Sequence, residues 1–253
     1  MSAVLNRLGG ILQALEARAW RRALLALVAG LAVALAHPPF GILPGLLGLA
    51  LLLRLGDGAG PRRPLASAFF RGWLAGLGYF ALSVWWVTEA FLVDAAAHGW
   101  MAPFALIFLA GGLALFWGAG LLLYRLIAPK GPGRVLVFAG ALALVEWLRG
   151  NILTGFPWNL VGEAWRAGGA PSQAAALVGA YGLTWLTLAL AASPAVLPGL
   201  ERRSRRIVGA SALGLLVLLY AGGLWRLAAA PAARDSAAVV RIVQADVDQK
   251  DKW

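Results

Sequence analysis

Seven apolar runs separated by short loops constrain this chain more than any other feature of its sequence. Charged residues make up only 13% of the chain, against roughly 25% in a soluble globular protein, so most of the surface is predicted to face lipid. A helix needs about 20 apolar residues to cross a bilayer, and most of the runs approach or exceed that length. The pattern predicts an all-α polytopic membrane protein with seven transmembrane helices. The runs cover residues 19–36, 42–55, 65–87, 101–127, 135–148, 174–197 and 207–227.

The distribution of basic residues predicts the orientation of these helices. Fifteen of the 22 Lys and Arg residues fall in segments on one side of the predicted bundle. Because cytoplasmic loops carry an excess of Lys and Arg, we expect the N-terminus in the cytoplasm and, after seven crossings, the residues beyond 227 on the outer face. The fifteen are Arg7, Arg18, Arg21, Arg22, Arg54, Arg62, Arg63, Arg71, Arg125, Lys130, Arg134, Arg202, Arg203, Arg205 and Arg206.

The character of the sequence changes near its C-terminus. Residues 239–243 are rich in β-branched side chains and are followed by polar and acidic ones, a pattern typical of a strand that begins a water-soluble domain. We therefore predict a transmembrane helical domain at residues 1–228 and a linker at 229–236. Residues 237–253 are expected to form the first strand and loop of an incomplete extracytoplasmic domain.

Net charge and cysteine content exclude several classes of function. The formal charge is +11, but the bases lie in short loops between apolar runs, where they act as an orientation signal, so no nucleic-acid partner is expected. The absence of cysteine excludes disulfides, thiolate metal sites and a cysteine nucleophile within these residues. We predict no metal and no cofactor for this chain.

Two outer loops, at residues 88–99 and 149–171, are predicted to lie at the membrane surface. Six tryptophans fall near this outer boundary, and indole rings prefer the headgroup level of a bilayer. An aromatic belt explains them, and an opening that is accessible to lipid would also use them. These tryptophans are Trp85, Trp86, Trp100, Trp147, Trp158 and Trp165.

Glu146 is the main ionisable candidate within the apolar runs. It lies three residues before Arg149, and side chains at that spacing share one face of a helix and can pair. An interfacial ion pair is the favoured interpretation. The alternative is that the two side chains hold a lipid headgroup or the outer loop.

The stretch that follows predicts an ordered turn. Glycine at positions 150 and 155 permits backbone conformations that other residues resist, and Pro157 favours an extended conformation at Phe156. Phe156 and Trp158 therefore flank a rigid turn, which suits a re-entrant or interfacial loop.

Motifs in several parts of the chain carry one family likeness. Ala-His-Pro-Pro-Phe-Gly at 36–41, Glu-Trp-Leu-Arg-Gly at 146–150, Leu-Thr-Gly-Phe-Pro-Trp at 153–158 and Gly-Ala-Tyr-Gly-Leu-Thr-Trp-Leu at 179–186 occur in this order. They resemble the first hairpin turn, the outer loop and the sixth span of the bacterial apolipoprotein N-acyltransferase family. Residues 240–253 are similar to the first β-strand and following loop of that family's extracytoplasmic domain, an α/β nitrilase-like, or carbon-nitrogen hydrolase, domain.

The resemblance implies the membrane portion of an acyltransferase in the bacterial inner membrane, with the C-terminal segment in the periplasm. The family transfers an acyl chain from a phospholipid donor to the N-terminal diacylglyceryl-cysteine of a lipoprotein acceptor, through a cysteine thioester assisted by a glutamate and a lysine. By the same resemblance these three residues lie beyond this chain. We therefore predict no catalytic residue here and no activity for the chain alone. Expected partners are the phospholipid, the lipoprotein and membrane lipids.

Three residues are predicted to contact substrate. Trp253 matches the tryptophan of the family's Gln-x-x-Lys-Trp segment, and Trp158 and Phe156 lie in the outer loop. We also expect the loops at 88–99 and 149–171 to hold the catalytic domain and to frame a lateral opening for lipid. A small polytopic transporter and a structural membrane subunit stay as alternative functions.

Overall fold

The computed structural model describes residues 18–60, 62–127 and 130–230, together with the isolated positions 241, 243 and 247. Helices account for most of these residues, and no strand occurs among them. The all-α class predicted from the apolar runs is thereby confirmed for the described part of the chain. The predicted strand and loop at 237–253, including Trp253, lie outside the described residues apart from the three isolated positions.

Seven helices of ten or more residues occur in the described ranges, and short 3₁₀ turns connect several of them. Two one-turn helices, Glu89–Leu92 and Ala95–His98, lie between the third and fourth long helices. The long helices are α1 (Ala19–Leu35), α2 (Gly48–Asp57), α3 (Pro64–Ser83), α4 (Ala102–Ile127), α5 (Arg134–Asn151), α6 (Ala175–Ala192) and α7 (Arg202–Ala228). The 3₁₀ turns are Leu43–Leu47, Trp85–Thr88, Gly99–Met101, Val161–Ala164, Pro171–Ala174 and Ser193–Gly199.

Four helical stretches of the described chain are long and apolar enough to cross a bilayer. α1 and α2 have only 17 and 10 residues, and α5 includes Arg134, Glu146 and Arg149 within its 18 residues. The membrane-protein class therefore stands on four helices, and the count of seven spans stays a prediction. The four stretches are Pro64–Ser83, Ala95–Ile127, Pro171–Gly199 and Arg202–Ala228.

Small residues allow the central helices to pack closely. A Cβ at Gly30 of α1 would lie 1.8 Å from the Ala75 carbonyl oxygen of α3, and one at Gly72 of α3 would lie 2.5 Å from the Trp117 carbonyl oxygen of α4. Helix association in lipid depends on such close backbone approach, because lipid tails are as apolar as leucine side chains. α3 therefore forms the centre of the bundle, with α1 on one side and α4 on the other.

Hydrogen bonds and an ion pair connect residues near each end of the bundle. At one end, the Tyr124 hydroxyl donates to Asp57, and Arg134 forms an ion pair with the same carboxylate at 3.0 Å. At the other end, His37, Tyr79 and Asn159 are connected by hydrogen bonds. We call these the basic end, with residues 54–60, 62–63, 130–134 and 193–206, and the Trp-rich end, with residues 36–42, 84–101 and 147–174.

Candidate functional site

A buried ion pair lies at the Trp-rich end of the bundle. Nη2 of Arg149 donates to Oε2 of Glu146 at 2.5 Å, and both side chains have no exposed surface. The predicted pairing is therefore confirmed. The pair is enclosed by the bundle, however, whereas the sequence suggested that it lies at the membrane interface.

Two aromatic side chains complete the surroundings of the Glu146 carboxylate. Oε1 accepts a hydrogen bond from the Trp117 indole N–H at 2.6 Å. The Trp117 ring stacks on Tyr79 with 4.7 Å between ring centroids. Because a buried carboxylate is tolerated only when it is paired and hydrogen-bonded, these contacts from α3 and α4 explain why Glu146 remains in the core.

Arg149 holds the outer loop through backbone carbonyl groups. Nη1 donates to the carbonyl oxygens of Phe156 at 2.5 Å and of Trp158 at 2.8 Å, and Nη2 reaches the Asn159 carbonyl oxygen at 3.4 Å. The guanidinium carbon also lies 5.0 Å from the centroid of the Phe80 ring, a cation–π distance. One planar guanidinium therefore binds a carboxylate and the backbone of residues 156–159 together.

Asn159 connects the loop to α3. Its φ of +58° falls in the left-handed region, which asparagine tolerates better than most residues, and its Nδ2 donates to the Ser83 carbonyl oxygen at 2.7 Å. Its own carbonyl oxygen accepts from the Tyr79 hydroxyl at 2.7 Å. His37 Nε2 lies 2.9 Å from that hydroxyl oxygen. Because the single Tyr79 proton points to Asn159, His37 must carry its proton on Nε2 and donate to Tyr79.

The tip of the loop has an unusual backbone. Leu153, Thr154 and Gly155 have φ values of +53°, +72° and +78°, and the Leu153 side chain is 85% exposed. A positive φ costs a leucine or threonine about 1–2 kcal/mol per residue. Such a run persists only when the surroundings enforce it, and here the contacts of Arg149 with residues 156–159 supply that restraint.

Glycine at position 150 allows the end of α5 to pack against α6. A Cβ at this position would lie 1.9 Å from the Tyr181 hydroxyl oxygen. A second close contact follows at Gly162, whose N–H donates to the Thr184 hydroxyl at 3.2 Å. The glycine predicted to permit a turn at 150 instead permits close packing, because Gly150 itself lies within α5.

Phe156 and Trp158 project from the fixed backbone. Their rings meet edge to face with 4.9 Å between centroids; Phe156 is half-buried, and Trp158 is 54% exposed. Phe156 lines an open groove of about 530 Å³ between α4 and the loop. The other side chains of the groove are apolar and come from residues 108–119 of α4 and from Ile152 and Leu153.

The tryptophans of the Trp-rich end divide into two groups. Five of the six are at least 43% exposed, which agrees with an aromatic belt. Trp165 is the exception, because it is buried and its indole N–H donates to the Thr187 hydroxyl at 2.8 Å. The prediction of a surface position was wrong for Trp165. Its ring anchors the loop to α6, where it packs on Leu183.

The loop at 88–99 does not line the groove. It forms short helical turns with mostly exposed side chains, and Asp94 caps one of them by accepting from the Ala97 N–H at 3.2 Å. We expected the loops at 88–99 and 149–171 to frame a lipid opening together. In the described residues, α4 lines one side of the groove and residues 152–156 line the other.

Glu163 lies in the loop at 149–171, four residues after Asn159. Its carboxylate accepts from the Leu160 N–H at 3.0 Å. Burial raises the pKa of the Glu163 carboxyl above its ordinary value, while the backbone hydrogen bond from Leu160 opposes that shift. The side chain thus stabilises the turn Val161–Ala164 and is not aimed at the groove.

Sequence reasoning identified Glu146, Arg149, Phe156 and Trp158 but did not find the residues that support them. His37, Tyr79, Trp117 and Asn159 are distant in sequence and meet only in the folded bundle. A tyrosine and a tryptophan in the middle of apolar runs were an available signal, since a buried O–H or N–H usually finds a partner.

In the described residues, these features define a helical membrane protein in which a buried ion pair fixes an aromatic loop beside an apolar groove. The profile of the family described as the apolipoprotein N-acyltransferase N-terminal domain matches residues 10–193. The chain belongs to the apolipoprotein N-acyltransferase family.

Three curated relatives, each named apolipoprotein N-acyltransferase, show how much of such a protein this chain represents. The protein from Caulobacter vibrioides is 60% identical over 236 residues, which cover 93% of this chain and 44% of the relative. The proteins from Brucella melitensis and Rhodopseudomonas palustris are each 40% identical, over 92% of this chain and 45% of the relative. The chain thus spans less than half the length of these relatives.

Proposed function

We propose that this chain is the membrane portion of an enzyme that transfers an acyl chain from a phospholipid to the N-terminal diacylglyceryl-cysteine of lipoproteins. The observation that carries the proposal is the match of the family profile to residues 10–193, a range that contains the entire Arg149 network. No catalytic residue is assigned to this chain, and the chain alone is expected to be inactive. Nothing in the described residues favours a transporter or a structural subunit.

The geometry of the Trp-rich end supports a role in presenting lipid. An acyl chain needs an apolar path, and the groove along α4 provides about 530 Å³ lined almost entirely by apolar side chains. Phe156 and Trp158 lie beside this path on a backbone that Arg149 holds in place. Orientation of a reacting group is worth several kcal/mol when it is arranged before the reaction. We assign substrate contact to Phe156 and Trp158, and by family resemblance to Trp253.

The proposed location follows from the charge pattern. The basic end faces the cytoplasm, the Trp-rich end faces the periplasm, and the protein resides in the bacterial inner membrane. In this arrangement residues 1–228 form the membrane domain, 229–236 form a linker and 237–253 begin a periplasmic nitrilase-like domain. Lipid headgroups of the outer leaflet then lie at the depth of Phe156 and Trp158.

An acylation assay on the complete gene product that contains this chain tests the function. The reaction uses a fluorescent phosphatidylethanolamine as donor and a diacylglyceryl-cysteine peptide as acceptor. We expect W158A and F156A each to lower kcat/KM about tenfold, the effect of roughly 1.4 kcal/mol of lost interaction. W20A removes an equally exposed tryptophan at the opposite end of α1 from His37 and should leave kcat/KM unchanged.

Two outcomes would contradict the proposal. If the complete protein produces no acylated peptide, the assigned reaction is wrong; if W20A and W158A are equally impaired, the site assignment is wrong. A topology reporter tests the location independently. Alkaline phosphatase fused after residue 253 should be active, because this enzyme acquires its disulfides in the periplasm, and activity of a cytosolic reporter alone would overturn the orientation.

A further inference from the structure

The last helix stands apart from the rest of the bundle. Only Leu219 and Gly223 of α7 are buried, although the helix has 27 residues. Near one end, a Cβ at Gly223 would lie 1.8 Å from the Ala170 carbonyl oxygen. Near the other, Arg205 donates to the carbonyl oxygens at positions 197 and 200. Contacts close to both ends, with few between them, leave a gap beside the first half of α7.

This gap is an apolar groove at the basic end. It has a volume of about 270 Å³ and is lined by the start of α5, the end of α6 and the first half of α7. A groove of this volume has room for several methylene groups. This suits a segment of hydrocarbon chain. Representative lining residues are Val135, Leu136, Leu190, Ile207, Ala212 and Leu215.

Two exposed basic residues lie close in sequence to residues that line one end of the groove, which we call its polar end. Lys130 is exposed two residues before Pro132, which lines the groove. Arg203 is exposed one helical turn before Ile207 and shares its face of α7. Both are thus placed to meet a headgroup. Three further charged groups at this end already have contacts: Arg134 with Asp57, Arg205 with two carbonyl oxygens, and Glu201 with the Ser204 hydroxyl.

We propose that this groove binds one acyl chain of an anionic phospholipid, with the headgroup held by Lys130 and Arg203. The apolar lining selects a hydrocarbon chain, and the excess of positive charge at its polar end selects an anionic headgroup over a zwitterionic one. The site lies at the opposite end of the bundle from Phe156 and Trp158. Its occupant therefore stabilises the packing of α7 and is not the acyl donor of the proposed reaction.

Native mass spectrometry of the detergent-solubilised full chain, titrated with phosphatidylglycerol, tests the headgroup contact. A basic residue near an anionic lipid surface contributes about fivefold to affinity, so K130Q/R203Q should weaken phosphatidylglycerol binding about twentyfold. Binding of phosphatidylethanolamine should change little. The control R62Q/R63Q removes the same charge from two exposed residues at the basic end that, unlike Lys130 and Arg203, are not close in sequence to any residue lining the groove.

Filling the groove tests the contact between the groove and the lipid acyl chain. A212F places a ring where the acyl chain would lie and should weaken binding of both lipids. A212V adds a smaller side chain and should weaken binding of both lipids to a lesser degree. A210F adds the same ring two residues earlier, about 200° around the helix, at a position that does not line the groove. It should bind both lipids as the unmodified chain does.

Three results would overturn the proposal. Equal losses in R62Q/R63Q and K130Q/R203Q would indicate a diffuse charge effect. Unchanged binding in both A212F and A212V would place the lipid elsewhere. A disulfide between two copies carrying A212C would show that a second copy covers the groove. None of these measurements depends on acyltransferase activity, so they test the lipid site independently of the proposed function.

Discussion

The buried pair of Glu146 and Arg149 offers the sharpest test of how this structure is held together. Removing one partner of a buried ion pair costs about 3–5 kcal/mol, because the other charge stays in the core without compensation. The two partners are not equivalent here. Glu146 has one further contact, with the Trp117 indole, whereas Arg149 also serves the carbonyl oxygens of residues 156–159.

This asymmetry sets the expected magnitudes. E146Q keeps an acceptor for the Trp117 N–H but leaves the Arg149 charge unneutralised, so a loss of about 3 kcal/mol is expected. R149M removes the same ion pair and also leaves buried carbonyl groups without a donor, which costs about 1–3 kcal/mol for each unsatisfied group. We therefore expect R149M to lose about 5 kcal/mol or more. The double variant E146Q/R149M should lose less than the sum, by about 2–3 kcal/mol.

Thermal unfolding of the detergent-solubilised chain measures these differences. For a chain of this size, 1 kcal/mol corresponds to about 2–4 °C in Tm, so E146Q should lower Tm by roughly 10 °C and R149M by more. A cysteine introduced at Leu153 gives a second readout. Its labelling rate with a maleimide should change in R149M, because the loop is released, and much less in E146Q.

The ion pair of Asp57 and Arg134 at the basic end provides the matched control. Its side chains are 35% and 23% exposed, and partly exposed pairs contribute about 0–1 kcal/mol. The coupling energy from D57N, R134Q and the double variant should therefore stay below about 1 kcal/mol. Equal coupling energies for the two pairs would refute the reasoning, as would a smaller loss in R149M than in E146Q.

Two further predictions concern the support of the loop. G150A should destabilise the protein, because its Cβ would lie 1.9 Å from the Tyr181 hydroxyl oxygen. The control G214A adds a Cβ that meets nothing within 4 Å and should stabilise its helix by up to about 1 kcal/mol. Equal melting temperatures for the two variants would contradict this prediction. Burial lowers the pKa of His37 to about 4, so the unfolded chain takes up a proton near pH 6.5 before the folded chain does. Stability should therefore fall between pH 6.5 and 4, and H37Q should reduce that slope in unfolding measurements across this range.

The sequence was sufficient to predict the helical class and most helix positions, because apolar runs of membrane length have few alternative structures. The ends of the helices were less predictable. The sixth run was predicted to continue to residue 197, but α6 ends at Ala192 and a 3₁₀ turn that contains Pro198 follows. The fifth run was ended before Arg149, yet α5 continues to Asn151, because the charge of Arg149 is neutralised within the bundle.

The contacts that organise the site could not be read from local sequence. The spacing of Glu146 and Arg149 predicted their pairing, since both lie on one helix. Their burial depends on Tyr79 and Trp117, which come from two other helices and reach them only through tertiary packing. The same limit explains Trp165, whose partner Thr187 lies 22 residues away. The residue type alone predicted that the Trp165 indole lies at the membrane surface. In the structure its tertiary contacts bury it in the core.

The position of the ion pair suggests why charge is retained in an apolar bundle. A buried pair contributes little net stability compared with well-packed apolar residues, so stability alone does not account for it. A guanidinium can satisfy several carbonyl groups with a fixed geometry, which no apolar side chain can do. Arg149 uses this property to hold the backbone of residues 156–159, so that Phe156 and Trp158 stay beside the groove while the tip at Leu153 extends into its surroundings. The buried charge of Arg149 therefore fixes the position of the loop more than it adds to the stability of the bundle. A membrane domain that presents lipid to a reaction at its surface must hold such a loop in position.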